Sequence, residues 1–385
     1  MITKQPLLLV GGSNRTVLND LERFHEYGSD IIVATPGRLE DVLARYDNIH
    51  LNNTNFECLI LDEADILLDM GFEVTLSQIL ARVPKMRRTG LFSATQTKAV
   101  KMLGRAGLRN PVMVNVSVDG NQKDGSQVDE TALKPSEQAT PSSLTNYFVI
   151  CPLDQKLSRL VAFMQQHPNE KIVVFCLTCA IVEFMGIVLP QTPACKKLRV
   201  EALHGKMVQK RREKVLERFR AKDSGGILIC TDVAARGLDV SDVDWVVQFD
   251  APPDPNSFVH RVGRCARAGR SGQSLLFLTR QEEAYVDFLR LRKIPIEQIP
   301  STEQCAPPER LSETPTDQEN HIEDEMETTE ARDQIASASG THITDIMPAI
   351  KSIVLEDRDA LEKGTKAYTS YIRAYKEHQC SFIFR

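Results

Sequence analysis

The stretch Cys58-Leu59-Ile60-Leu61-Asp62-Glu63-Ala64-Asp65 decides how this chain is read. Four apolar residues in a row predict a buried parallel strand, and two carboxylates follow at its carboxyl end. In open α/β sheets that end faces the ligand crevice. In a nucleotide hydrolase of the P-loop kind, the first carboxylate there holds Mg²⁺ and the second orients or deprotonates an attacking water. An Asp-Glu pair after a strand serves equally well as a helix cap, because a carboxylate satisfies free N–H groups and suits the helix dipole. Taken alone, the two readings stand level, and the motifs downstream have to separate them.

Working outward, short apolar runs at 6–10, 30–34, 90–93 and 112–116 surround this strand, with amphipathic helical stretches between them. That is the spacing of βαβ units, so residues 1–116 read as one α/β domain with a parallel sheet. Residues 117–143 are rich in Gly, Ser, Thr, Gln, Asp and Pro and lack apolar periodicity, which predicts a linker. A second α/β block covers 144–299, with strands at 145–150, 172–175, 199–203, 226–229, 245–249 and 273–278. Helices are expected between them, at 155–166 and 209–219.

Residues 300–356 are acidic, with Glu323-Asp324-Glu325-Met326-Glu327 at their centre, and are expected to be largely disordered. The tail 357–385 is different. Tyr368, Tyr371, Ile372 and Tyr375 recur at helical spacing among Lys363, Lys366, Arg373 and Lys376. This predicts a core-facing stripe with a solvated basic face, in preference to a direct RNA contact. The final Phe382-Ile383-Phe384-Arg385 is an apolar run with nothing after it, so an extension cut short is expected.

Composition bounds the partners. The chain has 385 residues, 42% of them hydrophobic, enough for two cores. Its formal net charge of -5 does not advertise nucleic-acid binding, so local basic clusters would have to provide it. Of nine cysteines only Cys176 and Cys179 approach a metal-ligand spacing, and with no second pair they read as packing residues in a reducing compartment. No stretch approaches a membrane span, and a soluble intracellular protein is expected.

Four further constellations carry chemistry. Ser93-Ala94-Thr95 follows a strand, where small hydroxyls can bond neighbouring carboxylates or simply start a helix. Thr35-Pro36-Gly37-Arg38 is a tight turn into a helix, either a phosphate site or ordinary turn chemistry with a cap. In the run from Cys230 to Asp239, Thr231, Asp232, Arg236, Gly237 and Asp239 crowd a strand end, suited to a phosphate backbone and a ribose hydroxyl. In the run from His260 to Arg270, arginines recur every three residues at 261, 264, 267 and 270, which on a helix projects them nearly to one side. Cations so packed need an anionic partner, and a nucleotide triphosphate supplies one in the manner of arginine fingers.

Together with Val174-Phe175, this ordered set resembles the DEAD-box ATP-dependent RNA helicases over residues 1 to about 299. The resemblance implies two RecA-like α/β domains with parallel sheets, the first incomplete, that clamp single-stranded RNA and ATP between them. It implies that Asp62 holds Mg²⁺, that Glu63 activates the water, and that Asp65 and His260 couple the domains. Ser93 and Thr95 would link hydrolysis to RNA opening, and Arg264 and Arg267 would be the arginine fingers. Asp239 would bind the ribose of ATP. Gly11, Gly12, Thr35, Gly37 and Arg38 would contact the RNA backbone from the first domain, and Gln209, Arg212, Thr231 and Gly237 from the second. The tail resembles the start of a C-terminal extension in a subgroup that matures the large ribosomal subunit. That implies pre-ribosomal RNA and pre-ribosomal particle proteins as partners, a nucleolar location in the nucleus, and no membrane.

One element of that family is missing from these residues. A phosphate-binding loop GxxxxGK[ST] should precede the strand at 58–61, its amides cradling the phosphates and its Lys neutralising them. The sequence contains none, and its Gly205-Lys206 pair is followed by Met207. Two expectations follow: a helicase represented by an N-terminally shortened chain, or a catalytically inactive RNA- or protein-binding fragment.

Overall fold

In this computed structural model the described residues are 4–11, 16–45, 56–95, 97–114, 143–221, 225–232, 243–253, 255–265, 271–299 and 344–384. The chain divides into two compact units, Met1–Val116 and Ser117–Arg385.

The first unit alternates strand and helix. β1 (Leu7–Leu9) pairs in parallel with β2 (Ile32–Ala34) across α1 (Val17–Tyr27). Thr16 caps α1 by accepting the Asn19 amide, and Gly28 ends it at a φ of 61°, a left-handed value that suits glycine. After α2 (Pro36–Arg45), β3 (Cys58–Leu61) pairs in parallel with β4 (Arg88–Leu91). The crossover between these strands carries α3 (Ala64–Asp69) and α4 (Glu73–Arg82), and α5 (Lys98–Gly107) follows β4. Leu59, Leu61, Leu76, Ile79, Val83 and Leu103 form one small core, and Leu7, Leu9, Leu21 and Val42 another.

Two sequence expectations change here. The apolar run at β3 is not buried on both faces: Leu59 and Leu61 point into the core, whereas Cys58 and Ile60 are exposed. The sheet packs helices on one face only among the described residues, so the strand alternates as a half-covered one does. The apolar run expected as a strand at 112–116 forms none over its described part, 112–114, where Val112 is 88% exposed. Among the described residues no strand forms a ladder with 112–114, and an apolar run becomes a strand only where a neighbouring strand takes up its backbone bonds.

In the second unit a seven-stranded, all-parallel sheet forms the centre. Its strands are β5 (Leu144–Ile150), β6 (Lys171–Phe175), β7 (Val200–Leu203), β8 (Gly226–Cys230), β9 (Trp245–Gln248), β10 (Gly272–Leu278) and β11 (Glu297–Gln298), in the spatial order β11-β5-β10-β9-β6-β8-β7. Helices α6 (Lys156–Gln166), α7 (Cys179–Val188), α8 (Gln209–Arg220), α9 (Pro255–Val262) and α10 (Ala284–Leu291) cover it. β6, β8 and β9 are buried along nearly their whole length, as double-sided parallel strands must be. The sheet separates two cores, one around Phe175, Cys230 and Phe258 and one around Val174, Cys176 and Met185.

The tail belongs to this unit. α11 (Met347–Glu356) lies inside the stretch expected to be disordered, and it forms because Ile346 and Ile350 are buried in the second core. Residues 300–343 of that stretch, and the expected linker 117–143 apart from Ser143, lie outside the described residues. α12 (Arg358–Lys376) runs along α7, where Gly364 lets it approach Phe184: a Cβ at Gly364 would sit 3.0 Å from that ring. The chain end then turns into the first core, burying Cys380, Ile383 and Phe384. Among the described residues no helix is long and apolar enough to cross a membrane.

Candidate functional site: strand ends of two α/β units

At the carboxyl end of β3 the chain turns sharply. Asp62 is exposed and accepts the Glu63 amide at 3.0 Å. Glu63 is exposed, in the left-handed conformation at φ 50° and ψ 49°, and makes no side-chain capping bond to α3. A non-glycine residue held there stores backbone strain, which concentrates at functional sites. Asp65 points the other way. It is 1% exposed, and it accepts from the Thr95 amide at 3.0 Å and from the Thr95 hydroxyl at 2.6 Å. Ser93 donates its hydroxyl to the Thr95 carbonyl at 2.8 Å. The Ala64 amide bonds the Phe92 carbonyl at 2.9 Å, so the strand ends of β3 and β4 are stitched together. The segments around Asp65 and Thr95, thirty residues apart, thus form one structure.

The turn at Thr35 sits at the carboxyl end of β2. Thr35 and Gly37 are exposed, and a Cβ at Gly37 or Gly11 would meet open space. Arg38 is only partly available. Its Nε lies 3.3 Å from the Val10 carbonyl and 3.4 Å from Asp20, which ties α2 to the end of β1. Gly12 lies outside the described residues.

In the second unit, β6, β8 and β9 are sheet neighbours, and their carboxyl ends bring Cys176-Leu177, Thr231-Asp232 and Asp250 together. Arg261 reaches all three strands. Its guanidinium donates to both Asp232 oxygens at 2.6 and 2.8 Å and to the Asp250 carbonyl at 2.7 Å, while its carbon lies 5.1 Å from the Phe175 ring centroid. Burial works against its charge, and Asp232 outweighs that effect, so its pKa is raised. Asp250 also accepts from Lys156 at 3.2 Å and from the Leu177 amide at 2.9 Å. Both members of the Lys156–Asp250 pair are buried.

This corrects the reading of the arginine run. α9 ends at Val262, so Arg264 lies in the turn after the helix and does not share a helical face with Arg261. The Gly263 amide still bonds the Val259 carbonyl, the Arg264 and Cys265 amides then bond the carbonyls three residues back, and the anionic partner of Arg261 is Asp232 of the same unit. Arg264 donates to the His260 carbonyl at 3.2 Å, and both residues are half-buried. Arg267, Gly237 and Asp239 lie outside the described residues. Thr231 is 6% exposed, and its hydroxyl has no hydrogen-bond partner among the described residues. Gln209 and Arg212 open α8; Arg212 donates to Gln209 at 3.4 Å and Gln209 to Glu213 at 2.9 Å.

Sequence reading did not anticipate the Asp232–Arg261 and Lys156–Asp250 pairs. The signal was present, since Asp232 and Asp250 each follow an apolar strand, but pairing across the sheet is not written in local spacing. The cysteines take no part in this chemistry. Burial pushes the Cys176, Cys230 and Cys265 thiols up, that of Cys265 to about 12, so they remain protonated packing groups.

Comparison with known families agrees with this geometry. A DEAD/DEAH box helicase model matches residues 3–103 and a helicase conserved C-terminal domain matches 155–269. The chain belongs to the DEAD-box helicase family, with two RecA-like α/β units. Within it, residues 357–385 match the C-terminal extension of the ATP-dependent rRNA helicase SPB4-like group. The chain is 42% identical over 379 residues to DEAD-box ATP-dependent RNA helicase 18 of Arabidopsis thaliana, covering 98% of this chain and 56% of that protein. It is 42% identical over 383 residues to ATP-dependent RNA helicase DDX55 of Homo sapiens, covering 98% and 55%. It therefore spans about half the length of the curated relatives it matches. Among solved structures it resembles the DEAD-box helicase Mss116 bound to ssRNA and UDP-BeF, with a TM-score of 0.64, 26% identity, and coverage of 98% of this chain and 68% of that one.

Proposed function

We propose that these residues belong to an ATP-dependent RNA helicase that uses ATP and Mg²⁺ to open short RNA duplexes in pre-ribosomal RNA. Large-subunit maturation in the nucleolus, among proteins of the pre-ribosomal particle, is the setting that the SPB4-like extension favours. The observation that carries the reading is the Asp65–Thr95 bond pair, which joins the two motif segments at one strand end. Asp62 and Glu63 are exposed at the same strand end. In this reading Thr35, Gly37 and Arg38 meet the RNA backbone from the first unit, and Gln209, Arg212 and Thr231 from the second. Such contacts position RNA without reading its bases. His260 and Arg264, with Arg267 and Asp239, serve the nucleotide.

Asp62 suits Mg²⁺, which takes one or two carboxylates and completes its shell with phosphate and water. The phosphate cradle is another matter, because no GxxxxGK[ST] occurs in the 385 residues. No hydrolytic step is therefore assigned to them. That favours a second reading for the isolated chain: an RNA-binding fragment without ATPase activity. The test mixes the pure 385-residue chain with ATP, Mg²⁺ and single-stranded RNA. RNA binding without RNA-stimulated phosphate release is expected. Phosphate release would overturn the second reading, and failure to bind RNA would overturn the RNA role. Equal affinity for DNA would argue against recognition of the 2′-hydroxyl. For the biological setting, crosslinking in cells should enrich large-subunit precursor RNA, and a spread over unrelated transcripts would count against it.

A further inference from the structure

The first unit carries a charge asymmetry that none of its motifs uses. Between Glu73 and Asp119 the sequence holds eight Lys and Arg residues and no Asp or Glu, in a chain whose net charge is -5. The fold gathers several of them. The loop after α4 brings Lys85, Arg87 and Arg88, and the end of α5 brings Arg105 and Arg109. These two stretches meet where Arg109 donates to the Met86 sulfur at 3.4 Å. Close packing of Gly107 on α4 brings them together, since a Cβ there would lie 3.2 Å from Leu80. Arg87 is spent on the Val83 and Pro84 carbonyls at 3.5 and 2.7 Å, at the end of α4. Its pKa is lowered by burial and by the Arg109 charge, a sign that like charges are held together here.

Lys85, Arg88, Arg105 and Arg109 are exposed, and among the described residues none has a carboxylate within 4.0 Å. Glu57 stands nearby, its carbonyl accepting the Arg88 amide, but its carboxylate forms no ion pair with Arg88. The cluster is remote from the nucleotide end of the sheet. Arg88 begins β4 and Ser93 follows its other end, about 16 Å away at the rise of a strand.

We propose that Lys85, Arg88, Arg105 and Arg109 form a second, sequence-independent binding surface for an RNA phosphate backbone, at the opposite end of the first unit's strands from its nucleotide and RNA motifs. Unpaired cations of one sign repel each other, and a polyanion relieves that repulsion while releasing its own counterions. Three of the four are arginines, whose guanidinium fork matches phosphate oxygens. Neither stretch, 85–88 or 105–109, contains an aromatic residue for base stacking, and Met86 is the large apolar side chain exposed in them. RNA is therefore the favoured polyanion, a choice that rests on the RNA reading above.

The test compares salt-dependent binding of a long single-stranded RNA to three forms of the full chain. These are the unmodified protein, Arg88→Gln/Arg105→Gln/Arg109→Gln, and the charge-matched control Lys196→Gln/Lys197→Gln/Lys351→Gln, which removes exposed lysines of the second unit. The first triple variant should flatten the slope of log K against log salt by about 2 and weaken binding roughly ten- to hundred-fold at about 0.1 M salt. The control should leave both near the unmodified values. Equal slopes in all three would overturn the proposal alone, whereas no RNA binding by the unmodified chain would overturn the RNA reading too. Crosslinking of RNA to the unmodified chain guards against misfolding of the variant. Adducts are expected at 85–88 or 105–109, and their absence alongside adducts elsewhere would overturn the proposal. Displacement of RNA from these positions by polyglutamate at stoichiometric concentration, with RNA unable to compete back, would assign the surface to an acidic protein instead.

Discussion

Asp65 and Arg261 are two of the buried charges that tie the strand ends together, and each is held by named partners. Removing the Asp65 charge by Asp65→Asn replaces an acceptor of two Thr95 bonds with a group that can also donate. The first unit is expected to lose about 1–3 kcal/mol, with faster hydrogen exchange at the Thr95 amide as the readout. Arg261→Met leaves Asp232 without its bidentate partner in a site where Arg261 was 2% exposed. Breaking a buried pair by removing one member costs about 3–5 kcal/mol. Urea unfolding of the second unit should show it, and Asp232→Leu in the same chain should restore part of the loss.

At the scale of elements, the tail is a packed part of the second unit. Phe384 stacks on His378 at 3.7 Å between ring centroids and meets Tyr285 and Tyr375 edge-on. Phe384→Ala should destabilise this unit by about 3–5 kcal/mol in denaturant unfolding. Tyr375 donates to Glu282 at 2.9 Å, and α12 also bonds α7 through Ser370 and Thr178. Burial, with Glu282 adding to it, raises the Tyr375 pKa, and burial also raises that of Tyr371. A raised folded pKa means stability is full below the ordinary value of 10.0 and is lost as pH rises above it. Tail docking should therefore hold through neutral pH and loosen in alkali, followed by tyrosine absorbance. Tyr375→Phe should reduce that alkaline sensitivity.

At the scale of the whole molecule, the two units differ in how well their sheets are covered. The second buries a seven-stranded sheet between two cores. The first holds two separate two-stranded sheets and leaves Leu8, Val33, Ile60 and Phe92 more than half exposed. Hydrogen exchange should show the first unit opening at lower free energy than the second. A single cooperative transition across both would contradict this. The same difference explains how well each unit was read. Strands at 172–175 and 226–229 were legible to within a residue, because full burial leaves an unbroken apolar run. The run at 112–116 is equally apolar, but its described part, 112–114, forms no strand among the described residues, and sequence pattern does not say where a ladder forms.

By itself the sequence determined the lineage, the α/β class and the placement of Asp62, Thr95 and Thr231 at strand ends. Those properties follow from local periodicity and from short motifs whose order is linear in the chain. Only the tertiary structure decided that Asp65 turns inward to Thr95, that Arg261 is a buried partner of Asp232, and that α11 folds against the core. It also brought the stretch 85–88 up to Arg109, through the contact of Arg109 with Met86. Each of these depends on contacts between residues distant in the chain, where burial and charge, acting across space, override what neighbouring residues prefer.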